Sequence, residues 1–247
     1  MIKQIPNILT LCNLTCGVLG LIAFIHYDTD YAAAFVFIAA LFDFTDGLAA
    51  RLLNARTEIG KQLDTLADMV SFGVLPSLLL FKLIDLSISL EYKGIGSRFH
   101  FDSLNIHYFA LTAILIGLCA AIRLARFNID TTQESYFKGL PTPAAALFIV
   151  SIYTIIYHYR TDLIFIIIKP YFLISVAIFI SFMMISSVKL FTLKFTSFKW
   201  REDKIKYLFI VLSITALGLY QLMAIPFIII GYILFSLIHT KFIKHAI

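Results

Sequence analysis

Charged residues are scarce in this chain. Asp, Glu, Lys and Arg make up 14% of its 247 residues, whereas 60% are hydrophobic. A soluble domain carries about 25% charged residues, so the composition excludes an ordinary soluble protein and indicates an integral membrane protein. The net charge of +5 suits an anionic lipid surface better than a nucleic acid.

Cysteine is also scarce, and targeting signals are not evident. The three cysteines, Cys12, Cys16 and Cys119, lie in apolar runs, where they are expected to fill space rather than form a disulfide framework.

The first apolar run is too long, and the segment before it too weakly basic, for a convincing cleavable signal peptide. We also find no internal repeat and no low-complexity segment, so one membrane domain with little room for a soluble one is expected.

Apolar runs predict eight membrane-spanning helices, each near the ~20 residues needed to cross ~30 Å of hydrocarbon. The predicted spans are 8–26, 31–54, 64–86, 106–126, 141–158, 170–188, 206–223 and 226–243. We expect a kink where Ser71, Gly73 and Pro76 interrupt the third span, a polar external loop over 87–105, and a hairpin turn at Ile225 and Pro226. The predicted fold is an all-α polytopic membrane helix bundle. It comprises a six-helix core (1–188), a basic cytoplasmic loop (189–206) and a C-terminal transmembrane hairpin (207–247).

The distribution of positive charge predicts the orientation. With both termini in the cytoplasm, 15 of the 20 Lys and Arg residues lie on inner segments. This bias places residues 43–68 at the cytoplasmic face of the cell (inner) membrane.

Residues 43–68 concentrate charge between long apolar runs. Asp43 and Asp46 are three residues apart, and Asp64 and Asp68 are four apart, so each pair lies on one face of its helix. A charge at bilayer depth costs at least ~2.5–3.5 kcal/mol, so four carboxylates need a cation or access to water. If the two helices form a tight hairpin, the carboxylates converge into an oxygen site of the kind that hard divalent cations prefer.

Small residues and an arginine accompany the aspartates. Gly47 and Ala50 allow a ligand or a neighbouring helix to approach the backbone, and Arg51 lies on roughly the same stripe as Asp43. A guanidinium beside a metal site suits a phosphate that contacts both. The pattern therefore suggests a lipid-linked pyrophosphate as ligand.

The order of these residues resembles the signature of the CDP-alcohol phosphotransferase family, D-x2-D-G-x2-A-R-x8-G-x3-D-x3-D. Its eight fixed positions are filled without departure by Asp43, Asp46, Gly47, Ala50, Arg51, Gly60, Asp64 and Asp68. The alternative is a set of buried carboxylates that pair helices, but nothing nearby offers enough positive charge to neutralise four of them. The resemblance covers about residues 5–185.

The resemblance implies two divalent cations, Mg²⁺ or Mn²⁺, held by the four aspartates. Asp43 and Asp64 would bridge both ions, Asp46 would complete one shell, and Asp68 would touch the other ion. Asp68 is also the expected catalytic residue, a general base for the acceptor hydroxyl. No activated Ser, Cys or His nucleophile is visible, so no covalent enzyme intermediate is expected. Relatives in the family are usually homodimers, which makes a homodimer the expectation.

Six residues are expected to bind the donor, CDP-diacylglycerol: Asn7, Thr10, Gly47, Arg51, Thr57 and Gly60. Spacing alone leaves alternatives open. Asn7 and Thr10 share a polar stripe with Asn13 that would also serve helix–helix hydrogen bonds, and Thr57 would also cap the following helix. Arg56 and Lys61 are expected to contact lipid headgroups.

Three further motifs resemble the phosphatidylserine synthase branch of the family: PN-x2-T-x2-N near the start, RLARFN at 123–128 and GLPTPAAA at 139–146. This branch implies transfer of a phosphatidyl group from CDP-diacylglycerol to L-serine, giving phosphatidylserine and CMP. Arg123, Arg126 and Lys138 are the expected serine-binding residues. The alternative for the two arginines is ordinary anchoring at the positively charged face of the membrane.

Other functions remain open at this point. The acceptor could be glycerol 3-phosphate or an inositol phosphate, because three basic residues would also suit a phosphate. A Mg²⁺-dependent intramembrane prenyltransferase normally needs a second aspartate-rich loop, and none follows residue 106. A cation transporter is disfavoured because Arg51 beside the pathway would repel cations.

Overall fold

A computed structural model of the protein describes residues 4–91, 100–101, 106–129, 136–159, 164–191 and 204–244. The α-helices in these ranges are α1 (Ile5–Ile25), α2 (Thr29–Leu52), α3 (Glu58–Asp68), α4 (Leu75–Glu91), α5 (Ile114–Ile129), α6 (Thr142–His158), α7 (Ile164–Ile167), α8 (Pro170–Ile185), α9 (Lys204–Tyr220) and α10 (Ala224–Lys244). Strands of two or three residues form two antiparallel ribbons. They pair β1 (His100–Phe101) with β2 (Ile106–His107), and β3 (Tyr136–Lys138) with β4 (Lys189–Phe191).

Helices lie over all eight predicted spans. Within the described residues, five stretches are long and apolar enough to cross a membrane: Ile5–Ile25, Thr29–Leu52, Glu58–Glu91, Tyr108–Ile129 and Phe209–Leu237. Helices α6 and α8 are apolar but only 17 and 16 residues long, which is ~24–26 Å at the α-helical rise. The prediction of an all-α polytopic membrane bundle is confirmed, and the exact number of spans stays a prediction.

The C-terminal hairpin turns earlier than predicted. Helix α9 ends at Tyr220, and a 3₁₀ turn at Gln221–Met223 leads into α10. Gln221 has a φ of 51°, in the left-handed region that redirects the chain. Pro226 lies in the first turn of α10, where its missing N–H removes no helical hydrogen bond. The turn predicted at Ile225 and Pro226 is therefore wrong, because this proline starts a helix.

Ring contacts show that Phe209–Leu237 folds back on itself. The ring of Phe209 lies 6.1 Å from that of Tyr232 and 5.9 Å from that of Phe235, between ring centroids. A continuous helix would separate Phe209 from Tyr232 by ~35 Å. Helices α9 and α10 are therefore antiparallel neighbours.

The third predicted span starts earlier and ends later than expected. It runs from Glu58 to Glu91 and contains a π-helical segment, Met69–Val74, where a kink was predicted. Such segments occur often at functional sites, and this one follows Asp68 directly. Residues 87–91 of the predicted external loop are helical, and residues 92–99 and 102–105 of that loop lie outside the described residues.

Two glycines let α1 approach the third span closely. A Cβ at Gly20 would collide with the side chain of Leu75, and one at Gly17 would collide with the hydroxyl of Ser71. The Ser71 hydroxyl donates a 3.0 Å hydrogen bond to the backbone carbonyl of Asn13. Small residues thus bring α1 against the helix that carries the second aspartate pair.

The apolar core lies between α4, α6 and α8, where side chains such as Leu79, Ile149 and Ile180 are fully buried. Ile229 and Ile233 of α10 belong to the same core. The three cysteines are free thiols that are buried or half-buried, as expected for residues that fill space. The division into three domains stays a prediction, although β4 of the predicted loop pairs with β3 of the core.

Candidate active site

Three of the four aspartates meet at one point. Asp43 of α2 and Asp64 and Asp68 of α3 each offer a carboxylate oxygen, and these three oxygens lie within 4.8 Å of one another. The turn between α2 and α3, residues 53–57, folds the second helix back beside the first. Like charges this close repel one another, so the arrangement is favourable only with a compensating cation or proton.

Asp46 is held differently from the other three. Its side chain is buried, and its Oδ2 accepts a 2.7 Å hydrogen bond from the Thr10 hydroxyl of α1. Asp46 does not belong to the group of three oxygens, and it lines the adjacent cavity together with Asp64. Thr10 therefore orients one of the expected metal ligands, a role that its motif position alone did not reveal.

Asn13 contacts the expected general base. It is fully buried, and its Nδ2 donates a 3.3 Å hydrogen bond to Asp68 Oδ1. The sequence places Asn13 on the polar stripe of α1 with Asn7 and Thr10 and at the end of the PN-x2-T-x2-N motif, but it predicts no contact with an aspartate. Its position three residues after Thr10 and six after Asn7 was the signal that could have marked it as part of the site.

A cavity of about 620 Å³ opens beside the carboxylates. All six residues expected to bind the donor line it, together with two of the aspartates. The lining includes Asn7, Thr10, Asp46, Gly47, Arg51, Thr57, Gly60 and Asp64. We call this space the donor cavity.

Local contacts fix the geometry of the donor cavity. The Thr57 hydroxyl caps α3 by accepting a 3.0 Å hydrogen bond from the Gly60 N–H. A Cβ at Gly60 would lie 2.8 Å from Asn7 Oδ1, so a side chain there would press on the α1 wall. Arg51 donates from Nε to the Gly47 carbonyl, at 3.0 Å, on the exposed side of α2. Thr57 thus has the capping role that spacing suggested and also lies in the cavity wall.

The two basic residues that were expected at lipid headgroups also line the donor cavity, namely Arg56 and Lys61. Lys61 Nζ donates a 2.7 Å hydrogen bond to the backbone carbonyl of Asn128 at the end of α5. Lys61 therefore joins α3 to α5, which the sequence did not indicate.

A second cavity of about 350 Å³ brings together the three residues expected to bind the acceptor: Arg123, Arg126 and Lys138. Arg123 is buried and donates from Nη1 to the Thr142 hydroxyl at 3.0 Å. The more exposed Arg126 donates from Nη1 to the Ile185 carbonyl at 3.2 Å. We call this space the acceptor cavity.

Arg123 links the acceptor cavity to the carboxylates. Its guanidinium lies near enough to Asp68 for the two charges to attract each other. Among the described residues, its buried Nε has no hydrogen-bond partner. A buried unpaired donor is costly, so Arg123, which lines the acceptor cavity, carries an unused hydrogen-bond donor.

The carboxylate group fits a divalent cation. The three oxygens are close enough to share an ion, and Asp64 Oδ1 is buried without a hydrogen-bond partner in the described part of the chain. Clustered carboxylate oxygens are the donor set that Mg²⁺ and Mn²⁺ prefer. The residues present could therefore hold a metal ion, and its identity stays a prediction.

Fold and site together define a polytopic membrane protein with an acidic group beside two cavities that are lined by basic residues. The family model described as CDP-alcohol phosphatidyltransferase matches residues 3–183. The chain belongs to this family of phospholipid-synthesising transferases, which confirms the resemblance drawn from the aspartate motif.

Individual relatives show which members of the family this chain is similar to. The chain is 33% identical over 148 residues to the CDP-diacylglycerol–serine O-phosphatidyltransferase of Bacillus subtilis (strain 168), an alignment that covers 60% of this chain and 74% of the relative. It is 32% identical over 188 residues to the archaetidylserine synthase of Methanothermobacter thermautotrophicus, covering 75% of this chain and 68% of the relative. A CDP-diacylglycerol–serine O-phosphatidyltransferase of Saccharomyces cerevisiae is 34% identical over 149 residues, covering 57% of this chain and 46% of the relative.

Proposed function

We propose that this protein transfers the phosphatidyl group of CDP-diacylglycerol to the hydroxyl of L-serine, giving phosphatidylserine and CMP. The observation that carries the proposal is the acidic group of Asp43, Asp64 and Asp68, which lies beside a donor cavity and, through Arg123, beside a basic acceptor cavity. The names of the bacterial, archaeal and yeast relatives support serine as the acceptor.

The donor cavity suits a nucleotide diphosphate. Arg51 and Arg56 would bind the diphosphate, and Asn7 and Thr57 offer further polar groups in the wall of the same cavity. Gly47 and Gly60 leave the backbone accessible to the ligand. The apolar outer faces of the helices would keep the acyl chains in the bilayer.

In the proposed reaction Asp68 takes the proton from the serine hydroxyl, and the hydroxyl oxygen attacks the phosphorus that bears the diacylglycerol. A new P–O bond forms to serine as the P–O bond to CMP breaks, and CMP leaves with the electron pair. Asn13 holds the Asp68 carboxylate in place, and Thr10 holds Asp46. Because serine attacks directly, no covalent enzyme intermediate forms.

Two divalent cations, Mg²⁺ or Mn²⁺, are proposed to be held by Asp43, Asp46, Asp64 and Asp68. When bound, they would neutralise the negative charge that builds on the diphosphate. Arg51, on the wall of the donor cavity, adds a fixed positive charge of the chain itself.

The acceptor cavity suits the carboxylate of serine. The buried Nε of Arg123 has no hydrogen-bond partner in the described part of the chain, and Arg126 and Lys138 add positive charge around the same space. Arginine binds carboxylates through paired N–H donors. Arg123 lies within electrostatic range of Asp68, so the acceptor cavity lies on the side of the proposed base.

The orientation and assembly are proposals as well. Asn7, near the start of α1, lines the same cavity as Arg51, so the beginning of α1 and the site share one face of the bundle. From the excess of positive charge we propose that this face lies on the cytoplasmic side of the cell membrane. A homodimer is proposed from the family resemblance, and light scattering of the purified protein in detergent would test it.

The decisive experiment is an assay of purified protein with CDP-diacylglycerol, Mn²⁺ or Mg²⁺ and a panel of acceptors. We expect serine-dependent release of CMP and formation of phosphatidylserine. Glycerol 3-phosphate and inositol phosphate serve as the matched alternatives, and preferential product formation with either of them would replace serine as the acceptor.

A further inference from the structure

One side chain borders both cavities. Phe127 of α5 lines the acceptor cavity beside Arg126 and lines the donor cavity beside Asp64. Within the described part of the chain, Phe127 is the only residue that lines both cavities. Phe127 therefore lies at the boundary between the two cavities.

The residues on either side of Phe127 fasten this boundary to two other helices. Arg126 Nη1 bonds the Ile185 carbonyl at the end of α8, at 3.2 Å. The Asn128 Nδ2 donates to the Thr65 hydroxyl of α3 at 2.9 Å, and its backbone carbonyl accepts from Lys61 Nζ at 2.7 Å. Polar contacts on both sides thus tie the end of α5 around Phe127 to α8 and α3.

The boundary lies next to the reacting groups. Asp64 belongs both to the carboxylate group and to the wall of the donor cavity. Arg123, one helical turn before Phe127, lines the acceptor cavity and attracts Asp68. An apolar ring at this place reduces the room for water near the diphosphate without removing the polar groups that bind serine.

We propose that Phe127 is a partition that suppresses hydrolysis of CDP-diacylglycerol in favour of transfer to serine. The inference rests on the proposed function. Water is the competing nucleophile: its oxygen would form the new P–O bond, its proton would go to Asp68, and CMP would leave, with phosphatidic acid as the lipid product. Excluding water from an active site is a general way to prevent such a side reaction.

The test compares lipid products in the Phe127→Ala variant and in wild-type protein, both reconstituted with CDP-diacylglycerol, serine and Mn²⁺. We expect the ratio of phosphatidic acid to phosphatidylserine to rise by roughly tenfold in the variant, equivalent to ~1.4 kcal/mol less discrimination against water. Phe127→Leu, which keeps an apolar side chain of similar reach, is expected to stay near the wild-type ratio. Ile122→Ala, on an exposed face of the same helix and lining neither cavity, is the matched control and should not change the ratio.

The ratio of products separates a partition from a merely structural role, since partial unfolding lowers both products together. If Phe127→Ala makes too little lipid to measure, Phe127→Val replaces it in the test. Its ratio of phosphatidic acid to phosphatidylserine is expected to be higher than that of wild type and of Phe127→Leu, but to rise less than tenfold. An unchanged ratio in the measurable variant overturns the proposal. A wild-type protein that forms no phosphatidylserine would instead refute the proposed function.

Discussion

The two ends of α2 carry aspartates in opposite environments. At its start, Asp28 caps the helix by accepting from the Tyr31 N–H at 3.3 Å. Asp30 accepts from the Tyr153 hydroxyl at 3.3 Å and lies 3.3 Å from His158 Nε2. Towards its end, Asp43 instead faces other carboxylates.

This difference distinguishes carboxylates that support the fold from carboxylates that serve a reaction. In the first group each carboxylate accepts a hydrogen bond from a neighbouring donor. The second gathers three acidic oxygens within 4.8 Å, which destabilises the folded protein unless a cation enters. An arrangement that opposes stability in this way is typical of functional sites.

Removal of metal ions is expected to have the largest effect on activity. Thorough chelation should lower CMP release by ~10³-fold or more, because metal ions contribute several kcal/mol of charge stabilisation. Mg²⁺ or Mn²⁺ should restore activity and raise the temperature of unfolding, since they relieve repulsion among Asp43, Asp64 and Asp68. Activity that survives complete removal of metal would reject the metal site.

The Asp68→Asn variant should come next. Loss of the general base should lower kcat by ~10²–10⁴-fold while CDP-diacylglycerol still binds. In metal-free protein the same change should raise the unfolding temperature, because it removes one of the repelling charges. Turnover is measured as CMP release, and near-normal turnover with bound donor would show that Asp68 is not the base.

Asp30→Asn is the matched control at the other end of α2. It removes one carboxylate charge from the same protein. This carboxylate lies far from the donor cavity and is well partnered. Turnover should be unchanged, and the unfolding temperature should fall slightly, because exposed pairs of this kind contribute less than ~1 kcal/mol. Opposite signs of the stability change in Asp68→Asn and Asp30→Asn would support the comparison, and equal signs would break it.

Among the changes expected to affect the reaction, the smallest effect is on substrate binding at the acceptor side. Arg123→Ala should raise the KM for serine by ~10–100-fold, since hydrogen bonds to charged groups contribute ~1.5–3 kcal/mol. The KM for CDP-diacylglycerol should change little. Arg126→Ala should have a weaker effect, because Arg126 is more exposed and bonds a backbone carbonyl. If the KM for CDP-diacylglycerol rises more than that for serine, these arginines bind the donor instead.

Much of the site was predictable because its residues are close in the sequence. Eight positions between Asp43 and Asp68 carry the motif, and helical periodicity alone places each aspartate pair on one face. The membrane class and the helix ranges followed from apolar composition. In contrast, the turn at Gln221 and the π-helical segment after Asp68 depend on local backbone geometry that hydropathy does not report.

The amino-acid sequence by itself determined the membrane bundle, the acidic motif and the family, because these depend on composition and on spacings within one helix or one hairpin. Only the tertiary structure decided that Asn13 holds Asp68, that Thr10 holds Asp46, and that Phe127 borders both cavities. The partners in these contacts are 36 to 55 residues apart or come from several helices. Such contacts arise from helix packing, which side-chain spacing along one helix cannot specify.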